Sequence, residues 1–470
     1  MKQPDFDPGS FRDQEGRVFY QDGRVLRSLN DQALKNWQAL SQAAFFQPLV
    51  DQGKLVSSKA LSPQEVQQIL IPGPWKAVLE HQILPFISYP YEWPFGMLKD
   101  AALLQLELIL IALEEDMILK DCSAFNVQWV GTNPVFIDIP SFRKVAPGEP
   151  WVGYRQFCQM FLYPLFLQAF KDVPSQSWLR GSLDGIPPEQ CWALLSLRDL
   201  FRRGVFFHVF LMSKIQNAYA STQINIKNEL KASGFNKVLI KKNVSNMKKI
   251  IDGLEWNRKK SEWSDYSLNN SYSAVDWKKK EAFIQKSAQS RRWKLAWELG
   301  CNNGFFSRIV ARYAGAVVAM DLDALVIERL YQELKKEKQK TIIPLVINIA
   351  DIPGGLGWRG MERKSLTNRG KPDLTLCLAL VHHLAIGANI PLKEFVDWIA
   401  GLTRHLVIEF VTKEDPMTKR LLLNKEDHYR DYDVAHFEKY LEESFTVHAR
   451  ETLECGTRIL YFAESKSKTP

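Results

Sequence analysis

The spacing of apolar and polar positions changes character at about residue 290. Beyond it, short apolar runs at 295–299, 316–320, 342–347, 374–379 and 406–410 alternate with helix-length amphipathic stretches. That alternation predicts the strands and crossover helices of a parallel α/β sheet. Runs at 445–451 and 458–463 add two more strand candidates. Before residue 215 the texture is aromatic and proline-rich. There Asp22-Gly23 between GRVFYQ and RVLRSL reads as a hairpin turn, and the apolar stretch 98–115 reads as a long helix. Within 151–163 the large residues recur at helical spacing, as core positions do. The predicted organisation is an α+β domain over 1–215, a basic linker with helical pieces over 216–280, and an α/β domain over 281–470.

At 470 residues the chain exceeds the ~250–300 that one core sustains, so more than one domain is expected. Its longest apolar stretch is interrupted by Gln105 and Glu107, short of the ~20 residues that span a bilayer, which predicts no membrane span. The first residues lack the apolar core of a secretory signal, and the six cysteines form no CxxC pair. A cytoplasmic protein without a disulfide framework or zinc knuckle is the expectation. The net charge of +8 is local: between Lys227 and Lys260 ten Lys/Arg face three acids, a surplus of +7, leaving +1 for the rest. A solvated connector explains such a run, and a patch for nucleic acid, another phosphate-rich partner or a membrane surface is the alternative.

The sharpest chemical signal is Glu298-Leu-Gly-Cys-Asn-Asn-Gly304, placed between an apolar run and a helix-like stretch. Gly300 and Gly304 allow backbone angles closed to other residues and let a ligand approach the main chain at a helix start. The next apolar run ends in Asp321, an acid placed to accept hydrogen bonds from ribose hydroxyls at the crevice of an open sheet. The glycine spacing does not fit GxGxxG.

These residues, with a third run ending near Asp351, resemble motifs I to III of the class I S-adenosylmethionine-dependent methyltransferases, over about residues 281–465. The resemblance implies a Rossmann-like seven-stranded sheet closed by an antiparallel pair, and S-adenosyl-L-methionine as cofactor. It implies cofactor contacts at Glu298, Gly300, Cys301, Asn302, Gly304, Asp321, Asp351 and Leu378, and no metal in this domain. His382 and His383 follow the fourth run and Glu409 ends the fifth; each is a candidate for acid/base or acceptor contact, because methyl transfer to a hydroxyl needs its proton removed. The glycine-rich stretch 353–363 lies between the third and fourth strands and reads as a loop lining the same site, with Trp358 to stack and Arg359 or Arg363 to hold an anion. Phrases such as Ser88-Tyr-Pro-Tyr-Glu-Trp93 and Leu378-Ala-Leu-Val-His-His383 make the whole chain similar to NoeA-like, nodulation-related methyltransferases, a resemblance that supplies no substrate.

In the N-terminal half, Asp121, Asn126 and Asp138 recur with the order and spacing of protein kinases and aminoglycoside phosphotransferases. There such residues serve as base and magnesium ligands. Residues 86–92 would be the hinge and Lys76 the phosphate lysine. Leu119-Lys120 replaces the usual pair before the first aspartate, Ile139-Pro140 follows the last, and no glycine-rich phosphate loop precedes them. The leading expectation is a methyltransferase acting on a small-molecule or glycan hydroxyl. The alternatives are a nucleic-acid-binding or nucleic-acid-modifying protein using the basic segment, and a bifunctional protein with a kinase-like phosphotransferase domain.

Overall fold

The computed structural model describes residues 5–69, 71, 73–146, 148–214, 237–264, 272–423, 425–426 and 428–466. The chain forms two compact units. One comprises Met1–Trp129, Asn133–Arg258 and Gly355–Arg363; the other comprises Val130–Thr132, Lys259–Gly354 and Lys364–Pro470.

The first unit begins with an antiparallel sheet of five strands, β1 (Asp5–Phe6), β2 (Gly16–Gln21), β3 (Arg24–Leu29), β4 (Ser58–Ala60) and β5 (Ala77–His81), in the order β1-β2-β3-β5-β4. Asp22 and Gly23 join β2 to β3 with φ of 50° and 74°, the doubly left-handed turn whose twist matches a two-residue hairpin. A helix, Asp31–Ser41, follows β3, started by the Asn30 side chain accepting from the Ala33 N–H. The helix Phe95–Glu114 carries buried residues on every side, from Met97 and Leu98 to Ala112 and Leu113, and so runs through the core. Two ribbons follow, β6 (Met117–Leu119) with β9 (Phe142–Lys144) and β7 (Val127–Val130) with β8 (Asn133–Phe136). The aromatic run after Trp151 is core: Phe157, Phe161 and Tyr163 are buried.

Of the stretch read as a basic linker, residues 216–236, with Lys227 and Lys231, and 265–271 lie outside the described residues. Its central part is the helix Lys237–Asp252, which buries Ile240, Val244, Met247 and Ile251 and packs on Phe95–Glu114. Lys237 pairs with Asp116 at 2.6 Å and Lys241 with Glu114 at 2.5 Å. An apolar stripe every third or fourth residue lies under that basic surface.

The second unit is built on β10 (Trp293–Leu299), β11 (Ala314–Asp321), β12 (Ile342–Val346), β13 (Leu374–Cys377), β14 (His405–Val411), β15 (Phe445–Thr452) and β16 (Arg458–Ser465). They form one seven-stranded sheet in the order β12-β11-β10-β13-β14-β16-β15. β10 to β14 are parallel, while β16 runs antiparallel to both β14 and β15. This is the sheet that the methyltransferase resemblance implies. Every residue of β14 is buried, as in a strand covered on both faces, and apart from His405 and Glu409 all are apolar. Register aligns the carboxyl ends: Leu299 faces Met320 and Cys377, and Asp321 faces Val346. Among the described residues, no helix is long and apolar enough to cross a membrane.

Candidate functional site

The glycine turn follows β10 directly. Gly300 has φ of 75° and Gly304 has φ of 68°, so both hold the left-handed region that glycine enters without cost. The Gly300 and Cys301 N–H groups both donate to the Met320 carbonyl, at 2.8 and 2.9 Å, which ties the turn to the end of β11. A Cβ on Gly304 would stand 2.8 Å from Leu330 Cδ1, so this glycine serves the packing of the following helix as well as the turn.

A cleft of about 420 Å³ opens at these strand ends, walled by Gly300 and Asn302, by Asp321 and Leu322, by 347–350, and by 378–380 with His383. Asp321 is buried, and its two carboxylate oxygens accept from the Asn302 and Asp323 N–H groups, each at 3.0 Å. Burial pushes its carboxyl up to about 6. A second, smaller hollow of about 50 Å³ lies against the same turn, bounded by Glu298, Gly300, Cys301, Leu378, Tyr272 and Lys280. The buried Glu298 accepts a hydrogen bond from Ser307 Oγ, and burial pushes its carboxyl up to about 7.

The sequence-predicted residues therefore divide. Gly300, Asn302, Asp321, Leu378 and His383 line the cleft, while Glu298 and Cys301 line the hollow. Gly304 and Asp351 line neither, although Ile349 and Ala350 beside Asp351 line the cleft. His382 is 1% exposed and outside the lining; burial, and then the neighbouring His383, hold its imidazole well below the usual range. His383 meets the Trp263 ring edge-on at 4.9 Å, and burial holds it down at about 4, so it is neutral at pH 7.

Glu409 is fully buried and already engaged. Its oxygens accept from Lys280 Nζ at 2.7 Å and from the Tyr272 hydroxyl at 2.7 Å, with Arg458 Nη1 at 3.4 Å. Arg458 also donates to Asp415 at 2.8 Å through Nε. Burial disfavours the Glu409 carboxylate, but the charges of Lys280 and Arg458 outweigh it and hold it below the usual range. Lys280 and Arg458 are the residues that sequence reasoning missed here. Lys280 sits in the polar run Lys278-Lys279-Lys280-Glu281 and its partner is 129 positions away, so no local signal marks it.

In the first unit, Asp121, Asn126 and Asp138 come together on one cavity of about 1230 Å³. Asp121 accepts from the Ser123 N–H at 2.8 Å; burial, then the charge of Asp138, raise its carboxyl above the usual range. Asp138 pairs with Arg27 of β3 at 2.5 Å. Lys76, the residue expected to meet phosphate, does not line the cavity, whereas Arg27 does. The stretch 353–363 also differs from expectation: Gly355–Arg363 is part of this first unit, and Trp358, Arg359 and Arg363 line its cavity instead of the C-terminal cleft. Glu362, with 4% of its side chain exposed, accepts both Nε and Nη2 of Arg12, at 2.8 and 3.0 Å, which fastens the loop there.

No family model matches the chain. Among solved structures, the N-methyltransferase NodS from Bradyrhizobium japonicum WM9 in complex with S-adenosyl-L-homocysteine is similar at 14% identity, covering 44% of this chain and all of that one, with a TM-score of 0.32. The bifunctional kinase-methyltransferase WbdD is similar at 16% identity, covering 43% of this chain and 41% of that one, with a TM-score of 0.30. In sequence, the nodulation protein NoeA of Rhizobium meliloti (strain 1021) is 33% identical over 459 residues, covering 97% of this chain and 95% of that protein. With the alignment running through both units, the chain belongs to the NoeA family.

Proposed function

We propose that the second unit is an S-adenosyl-L-methionine-dependent methyltransferase acting on a hydroxyl of a small molecule or glycan. The observation that carries this reading is that the glycine turn, Asp321 and 347–350 meet in one cleft at the carboxyl ends of a parallel sheet of this strand order. The residues fit the cofactor: Asp321 is a carboxylate acceptor on the cleft wall, placed for ribose hydroxyls, and the left-handed Gly300 carries no side chain into the cleft. When bound, the cofactor supplies an electrophilic methyl group on a sulfonium. This chain's own residues hold and orient it, and His383, neutral and on the cleft wall, is the candidate base for the acceptor's proton, a weak one while burial holds it at about 4. Glu409 braces the site through Lys280 and Arg458. Equilibrium dialysis with labelled S-adenosylmethionine tests the reading. Saturable binding displaced by S-adenosylhomocysteine supports it, and its absence removes it.

A second reading concerns the first unit. The convergence of Asp121, Asn126 and Asp138 on one cavity, next to a sheet ordered β1-β2-β3-β5-β4 with a helix between β3 and β4, favours a kinase-like fold. Oxygen donors of this kind suit magnesium, but Arg27 already balances the charge of Asp138. The set therefore does not present a free metal site, and no phosphotransfer step follows from it. Calorimetry with ATP and magnesium, on the parent and on Asp138→Ala, decides this reading.

A further inference from the structure

The cavity of the first unit has a wall that neither reading explains. Gly355–Arg363 closes on itself as a tight hairpin: Leu356 and Arg363 exchange both backbone hydrogen bonds, each at 3.0 Å. A Cβ on Gly355 would lie 1.9 Å from the Gly360 carbonyl oxygen, so only glycine permits the closure. Glu362 is locked by Arg12 and accepts from the Trp358 N–H at 3.0 Å. The Arg363 guanidinium lies 4.0 Å from the centre of the Phe125 ring. What this rigid hairpin holds out is a large aromatic and a cation. Trp358 is 64% exposed, an unusual cost for an indole in water. Arg359 beside it has φ of 60°, a backbone region where glycine is the ordinary residue. A turn that needed only its shape would be better served by glycine, and the arginine that stands there instead lines the cavity.

We propose that this hairpin is a ligand-binding element of the N-terminal cavity, taking a small molecule in which a ring is joined to a phosphoryl group. The ring stacks on Trp358 and the phosphoryl oxygens meet Arg359, with Arg155 on the same cavity as a further cation. Recognition is through guanidinium groups and so needs no divalent metal. The inference stands on the cavity and its hairpin and does not depend on methyl transfer or on phosphotransfer.

Isothermal titration of the full chain in EDTA tests it with three probes: inorganic pyrophosphate, glucose 1-phosphate and adenosine diphosphate. The expected result is that at least one ring-bearing probe binds more tightly than pyrophosphate; the tighter of the two identifies the ring as sugar or base. Trp358→Ala should erase the advantage of the ring. Arg359→Gly should weaken binding about tenfold or more, as loss of charge-assisted hydrogen bonds implies, without lowering the unfolding temperature, because glycine takes this φ freely. Asp321→Ala should leave binding unchanged. No binding by any probe, ring-bearing probes no tighter than pyrophosphate, unchanged binding by Arg359→Gly, or loss of binding in Asp321→Ala would each overturn the proposal.

Discussion

In the second unit most of the main cleft's wall, Gly300, Asn302, Asp321, Leu322, 347–350 and 378–380, lies at or just beyond the carboxyl ends of strands, whereas the cavity of the first unit is gathered from residues near 9–13, 27, 120–126, 138, 155–160, 182–187 and 357–363. A parallel sheet sends its strand ends to one edge, so residues that follow successive apolar runs become neighbours by topology alone. The N-terminal cavity has no such rule. Its members meet through long-range ion pairs such as Arg27 with Asp138 and Arg12 with Glu362. The lesson is that the same chain holds one site written into a local motif and one written into tertiary contacts.

The contrast extends to what braces each site, and it can be broken by mutation. The hollow beside the glycine turn is bounded by Lys280 of a fully buried ionic cluster, so Glu409→Ala should strand Lys280 and Arg458 and cost about 3–5 kcal/mol in chemical unfolding of that unit. A loss below about 1 kcal/mol would show the cluster to be dispensable. Arg12 is 66% exposed along its side chain but its partner Glu362 only 4%, so Arg12→Ala should cost less than the buried cluster does, about 1–3 kcal/mol.

Ligand affinity separates the regions next. Asp321→Ala should weaken S-adenosylhomocysteine by about one to two orders of magnitude, the worth of one or two charge-assisted hydrogen bonds. The pH dependence follows with a smaller effect. Burial raises the Asp321 carboxyl to about 6, so the charged acceptor exists only above that pH. Affinity for S-adenosylhomocysteine should therefore fall several-fold as pH drops through about 6, to an extent set by how much binding favours the charged form. In Asp321→Asn this component should be absent; an equal fall in that variant would assign the titration elsewhere.

The smallest effects belong to the basic helix. Lys237 and Lys241 form exposed pairs, so reversing both to Glu should change stability little and leave cofactor affinity intact. A gel shift with a steep salt slope in the parent, lost in this variant, would move the account toward a nucleic-acid partner.

The strands of the second unit were legible because apolar runs in a parallel sheet are continuous and bounded by glycine or an acid, as at Gly300 and Asp321. The hairpin at Asp22-Gly23 was legible because its chemistry is local. Of the buried cluster only Glu409, inside an apolar run, was legible; Lys280 and Arg458 look solvated until the fold buries them. For the glycine-rich stretch 353–363, its place in sequence between the third and fourth strands points to the C-terminal cleft. Its destination is set instead by Arg12, some 350 positions earlier. Nothing near Arg27 in sequence announces its partner Asp138. Where a residue's partner is distant and charged, periodicity carries no information about it.

The most direct test of the central claim is isothermal titration of S-adenosylhomocysteine into three proteins: the parent chain, Asp321→Ala and Asp121→Ala. The account predicts one site per chain in the parent, affinity weakened by about ten- to a hundredfold in folded Asp321→Ala, and parent affinity in Asp121→Ala. Absence of binding in the parent, or equal affinity in the parent and Asp321→Ala, would contradict the assignment of the C-terminal cleft.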